Sequence, residues 1–90
     1  MQINHLDGKF FVVIEGKESI LNYRLNGNKI DIYHVFVPED LRGRGIAEQL
    51  ALAAFSYARR NKLSVIPTCP YIRDKFLEEH KEFLGIVEKK

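Results

Sequence analysis

The chain has a single cysteine in 90 residues, so no internal disulfide can staple it, and a disulfide-built secreted miniprotein is excluded. It has no apolar run long enough to cross a bilayer and no signal-peptide pattern at its N-terminus. A soluble, cytoplasmic protein with no membrane partner is the expectation. Net charge is nearly absent: 14 Lys and Arg stand against 12 Asp and Glu, leaving +2. So small an excess gives no case for a polybasic nucleic-acid arm. Low-complexity tracts, linkers and internal repeats are also missing. The length suits one core rather than two, so residues 1–90 are expected to form a single domain.

What is present is enough apolar material to fold. The hydrophobic share is 46% and the aromatic share 11%, which argues against disorder. Asp7-Gly8 and Asn26-Gly27 are two-residue hairpin signals, because both pairs tolerate positive φ. Gly16-Lys17 is a third turn signal. These turns divide the first 37 residues into four strands, near 2–6, 9–15, 18–25 and 29–37. The second, Phe10 to Ile14, is β-branched or aromatic throughout and reads as covered on both faces. In the fourth, strict alternation puts Ile30, Ile32, His34 and Phe36 on one face, and Asp31, Tyr33, Val35 and Val37 on the other.

After Pro38 the period becomes helical. Ile46, Leu50, Ala53, Ala54 and Tyr57 form an apolar stripe, widened by Ala47, Ala51 and Ala58. Arg59-Arg60-Asn61 ends the helix: two cations suit its negative end, and Asn suits a left-handed C′ position. Leu63 to Pro67 reads as a fifth strand, parallel to the fourth because a helix joins them. Pro70 fits the first turn of a second helix over 71–80, with Ile72, Phe76 and Leu77 facing inward. Phe83 to Val87 reads as a last short strand. The fold class is therefore mixed α/β (α+β), an antiparallel β-meander followed by β-α-β-α.

Chemistry concentrates in Val35-Phe36-Val37-Pro38-Glu39-Asp40-Leu41-Arg42-Gly43-Arg44-Gly45-Ile46-Ala47. A strand ends, a loop turns, and a helix opens on Gly-x-Gly. The glycines let backbone approach a ligand, and the first N–H groups of a helix have no internal partner. Together they suit a phosphate or pyrophosphate. Residues 38–66 hold five basic and three acidic side chains, and the flanking segments each balance, so the whole net charge lies around this loop and its helix. No Gly-Lys-Ser/Thr follows, which excludes a Walker loop. The third glycine of the dinucleotide fingerprint is absent, and hairpins rather than a β-α-β unit precede the loop. Arg-Gly-Arg-Gly also occurs in RNA-binding segments, but those need repetition and disorder.

Arg42-Gly43-Arg44-Gly45-Ile46-Ala47 resembles the Arg/Gln-x-x-Gly-x-Gly/Ala signature of the GNAT superfamily of acyl-CoA-dependent N-acetyltransferases. The order of elements over residues 10–80 is similar to the GNAT fold. Pro67-Thr68-Cys69-Pro70-Tyr71, then Phe76 and His80, resemble a stretch shared by very short GNAT-like proteins. The resemblance implies that backbone N–H groups from Arg42 to Ala47 hold the pyrophosphate of acetyl-CoA, with Glu48 close by. It implies that Val35 and Val37 pair with the pantetheine arm, and that the fourth and fifth strands splay apart around the thioester. The implied acceptor is an unidentified amine; no metal and no nucleic acid enter the reading.

The resemblance places Cys69 near the splay, where a thiol could accept the acetyl group or orient the thioester, and a helix N-terminus favours an anion beside it. A free cysteine is also commonly a small buried hydrophobe. Tyr71 could protonate the leaving thiolate or pack on the pantetheine. Asp31 stands eleven residues before the signature, where many members carry a catalytic carboxylate; His34 and water are the other candidate bases. Alternation puts Asp31 and His34 on opposite faces. His80 could cap the end of its helix. Two further readings stay open: a module that binds CoA without efficient turnover, and an RNA- or protein-interaction module.

Overall fold

The computed structural model describes residues 1–88. Five strands form one sheet in the order β1-β2-β3-β4-β5: Asn4–Leu6, Lys9–Ile14, Lys17–Asn26, Lys29–Phe36 and Ser64–Pro67. The first four are antiparallel neighbours and β4 pairs with β5 in parallel, as the crossover predicts. The crossover is α1, Ile46–Arg60. A second helical segment, α2, covers residues 70–79; it has a wide π turn over Ile72–Phe76 and ends on Leu77–Glu79.

Hydrophobic side chains of α1 and α2 gather on one face of the sheet. Phe10, Val12, Leu21, Tyr23, Ile30, Ile32 and Val65 point into this core, against Leu50, Ala51, Ala54, Phe55 and Ala58 of α1. The alanines expose nothing, in keeping with a close approach of helix to sheet. Phe55 sits between Phe76 at 5.0 Å and Phe83 at 5.1 Å, measured between ring centroids. Beneath the far end, His5 stacks on Phe10 at 4.0 Å and meets the hydroxyl of Tyr23.

The strands depart from the sequence-based expectations in three places. Strand β2 is covered on one face only: Val13 on the other is 56% exposed. The β2–β3 hairpin turns at Glu15 and Gly16, with φ 54° and 75°, one residue before the Gly16-Lys17 signal. In β4 the pairing steps from Asn22–His34 to Tyr23–Ile32, leaving Tyr33 without a partner. This bulge adds a residue and reverses the alternation. Ile30 and Ile32 face the core before it, and Val35 and Val37 face the core after it. His34 and Phe36 therefore join Asp31 on the open face, rather than the core face that a period of two assigns to them.

Both helix ends differ in detail. Asn61 keeps φ at −98° and its side chain donates to the Tyr57 carbonyl at 2.8 Å; Lys62 takes the left-handed position, at φ 56°. The segment read as a last strand is a 3₁₀ helix, Lys81–Ile86. Among the described residues, Val87 alone bridges to Val65 of β5, and the Glu88 N–H donates to the Val65 carbonyl at 2.7 Å. Phe83 is drawn into the aromatic stack, which curls the chain out of an extended path.

Among the described residues, one buried side-chain polar atom is unmatched. Ser19 is fully buried on β3, and its hydroxyl has no hydrogen-bond partner. An orphan hydroxyl costs roughly 1–3 kcal/mol. Ser19→Ala should therefore raise stability by about 1 kcal/mol. Urea unfolding measures it; a loss of stability would show that the hydroxyl is bonded after all.

Candidate functional site

The site begins where β4 outruns β5. Their pairing stops at Ile32–Pro67, and β4 continues to Phe36. The Tyr23 N–H donates to Gly8, toward β2, so Leu21, two residues earlier, also directs its backbone that way. Val35 lies opposite Leu21 and so turns its own N–H and C=O toward the open side. The Cys69 N–H closes the fork on the Ile32 carbonyl at 2.9 Å.

Past β4 the chain makes a 3₁₀ turn, Glu39–Leu41, anchored by the fully buried Leu41. Arg42 Nε donates back to the Val37 carbonyl at 3.0 Å and ties the two legs of the loop. Gly43 and Gly45 hold φ at 85° and 77°, and Gly45 is the N-cap of α1 without any side-chain cap. The first helical bond runs from Gln49 to Gly45. Among the described residues, no backbone N–H from Gly43 to Glu48 reaches a backbone acceptor. Free N–H donors at and just before the positive end of a helix are the groups that suit an anion.

The loop borders a cleft of about 480 Å³ lined by Val35, Val37, Arg42, Gly43, Gly45, Ile46, Ala47 and Tyr71 from the sequence reading, and by Phe36, Leu41, Glu48, Lys75 and Glu79. Arg44 does not line it; its guanidinium pairs with Glu15 at 2.9 Å. Lys17 pairs with Asp40, so the β2–β3 turn holds the loop at two points. Cys69 is buried beside the fork and does not line the cleft either. Burial, with the carboxylates of Glu48 and Glu79 and with Cys69, pushes the Tyr71 hydroxyl up to about 12, so it keeps its proton at neutral pH. Asp31 is hydrogen-bonded by the Thr68 hydroxyl, on the sheet's open face with His34. No cluster of three or more His, Cys, Asp or Glu among the described residues could hold a metal ion.

Lys75 and Glu79 were legible in principle. They follow Tyr71 at four-residue steps on α2, the spacing of one helical face. Glu15 and Lys17 carry no such local signal, since only the folded sheet brings them to the loop.

His80 is the C-cap residue of its helix and its N–H donates to the Phe76 carbonyl at 2.9 Å, but its side chain turns away from the helix carbonyls. Its Nε2 meets Glu48 Oε2 at 2.7 Å, its Nδ1 lies 3.5 Å from Glu82, and its ring stacks on Phe76 at 4.5 Å. The Glu48 carboxylate, then Glu82, raise its pKa above the usual value against an opposing desolvation. A raised folded pKa stabilises fully below the unfolded value, about 6.5, and the gain is lost as pH rises through the folded value. Wild type should thus lose stability relative to His80→Gln as pH rises from about 6 through neutrality. Parallel stability curves for the two proteins in that window would refute the ion pair.

A five-stranded sheet forked between its parallel strands, with a helix that starts on a glycine turn at the fork, has the architecture of the acyltransferase class the sequence resembles. The family model for the GCN5-related N-acetyl-transferase matches residues 9–86, and the chain belongs to that family. Protein NATD1 of Danio rerio is 40% identical over 70 residues, covering 74% of this chain and 63% of that one. Protein NATD1 of Bos taurus is 41% identical over 63 residues, covering 69% and 55%. The chain thus spans less than two thirds of the length of these curated relatives. The NMR solution structure of a GCN5-like protein from Staphylococcus aureus superposes with a TM-score of 0.77 at 25% identity, over 99% of this chain and 89% of the other. No helix among the described residues is long and apolar enough to cross a membrane.

Proposed function

We propose that this domain binds acetyl-CoA in the cleft beside the fork and transfers the acetyl group to an amine. The observation that carries the reading is the run of unpartnered N–H groups from Gly43 to Glu48, five of whose residues, all but Arg44, line a cleft that begins at the unpaired end of β4. The fit is chemical: converging backbone donors and Arg42 suit a pyrophosphate, and the free edge of β4 suits an amide-bearing arm. Val35 offers its N–H and C=O to that arm. The Val37 carbonyl is already engaged by Arg42, so Val37 offers its N–H alone. Tyr71, held protonated, can donate to a thiolate leaving at the fork. The open face at Asp31 and His34 is where an acceptor amine reaches the fork. The Pro67-Thr68-Cys69-Pro70-Tyr71 stretch supports a place among the very short members.

The second reading, a CoA-binding module without turnover, is favoured by Cys69 standing outside the cleft lining. Thermal shift with CoA and acetyl-CoA tests the binding. At 100 times the dissociation constant a ligand stabilises by about 2.7 kcal/mol. No shift with either compound would remove the cleft from consideration. Intact-protein mass spectrometry after acetyl-CoA then separates the roles of Cys69: an adduct absent from Cys69→Ala marks an acetyl-enzyme, and no adduct leaves Cys69 as packing.

A further inference from the structure

Four cations surround the glycine turn, and they are not equivalent. Lys17 is bound to Asp40 and Arg44 to Glu15, both outside the cleft. Arg42 lines the cleft, uses Nε on the Val37 carbonyl and keeps its terminal guanidinium nitrogens. Lys75 lines the cleft from α2, is exposed, and forms no ion pair among the described residues. Two carboxylates line the same cleft and neither holds Lys75. Glu48 is bonded to His80. Glu79 follows Lys75 by four residues, the less favourable order for a helical pair. An unpaired ammonium is thus placed in one cleft with the positive end of α1, a repulsive arrangement that an anion between them turns attractive.

We propose that Lys75 binds a phosphate of the cofactor from the α2 wall, forming with Arg42 and the N–H groups of 43–48 a two-sided anion clamp. The proposal rests on the acetyl-CoA reading above. It reverses the weight the sequence gives to the two signature arginines: Arg44 is held off by Glu15, and the second cation comes from α2. The anion is either the pyrophosphate or the 3′-phosphate of CoA, which share one chemistry.

Calorimetry on wild type, Lys75→Gln, Lys75→Arg and Lys62→Gln separates the cases, with CoA, dephospho-CoA and pantetheine as probes. Lys62 lies past the far end of α1 and controls for the change of net charge. Lys75→Gln should bind CoA about tenfold more weakly, with a flatter dependence on salt, and Lys75→Arg should restore most of the loss. Loss retained with dephospho-CoA places Lys75 on the pyrophosphate; loss that disappears places it on the 3′-phosphate. Equal loss on pantetheine would show that the lysine stem only packs, and an unchanged CoA affinity would also overturn the proposal. If wild type binds no CoA, the acetyl-CoA reading fails and takes this one with it.

Discussion

Gly45→Val is expected to fold and to lose CoA binding by about 100-fold or more. Gly45 holds φ at 77°, and a Cβ built there meets no protein atom within 4 Å. The cost to the free protein is therefore conformational: a β-branched residue in the left-handed region costs on the order of 1–3 kcal/mol. A domain of this size has on the order of 5–13 kcal/mol in hand, so it survives. Binding is another matter. The space that is empty of protein is where the proposed cofactor phosphate would sit, and a shifted N-cap displaces the N–H donors of Ile46, Ala47 and Glu48. Losing two charge-assisted hydrogen bonds of about 1.5–3 kcal/mol each accounts for the fall. Circular dichroism establishes folding and calorimetry reads affinity; wild-type affinity in a folded variant would detach the loop from the site.

Phe55→Ala should act in the opposite way, on stability and not on the cleft. Phe55 is fully buried, packs on Phe76 and Phe83, and does not line the cleft. Removing a core phenyl ring costs about 3–5 kcal/mol through lost transfer energy and the cavity left behind. Each kcal/mol lowers the Tm of a 60–100-residue domain by roughly 4–8 °C. A fall of about 12–40 °C is therefore expected on a thermal melt. A fall of only a few degrees would mean the three rings are slackly packed. The variant should still bind CoA at low temperature wherever it remains folded.

The sequence was readable where a residue type alone decides the backbone. Asp7-Gly8 and Asn26-Gly27 turn where they should, and the glycines of the signature take the positive φ that only they adopt freely. The parallel fifth strand followed from the helix before it. Reading failed where the answer depends on partners distant in sequence. Nothing in Ile30 to Phe36 announces the bulge at Tyr33, because it arises from the register against β3. The 3₁₀ path of Lys81–Ile86 follows from Phe83 finding Phe55 and Phe76. In the candidate site, the shape of the loop was legible because a glycine turn and a helix start are written locally in the residue types. Its cations were not: Arg44 looks like Arg42 until the turn at Glu15 is folded against it.

The bridge from Val87 to Val65 bears on behaviour in concentrated solution. A sheet's free margins are templates onto which further chains can add. Here β5 runs for four residues, and the described tail lies against its outer side through the Val87 bridge and the Glu88 N–H. At the opposite margin β1 is only three residues long. Among the described residues, the length of strand left open to addition is thus short: the end of β4 beyond β5 and the end of β2 beyond β1.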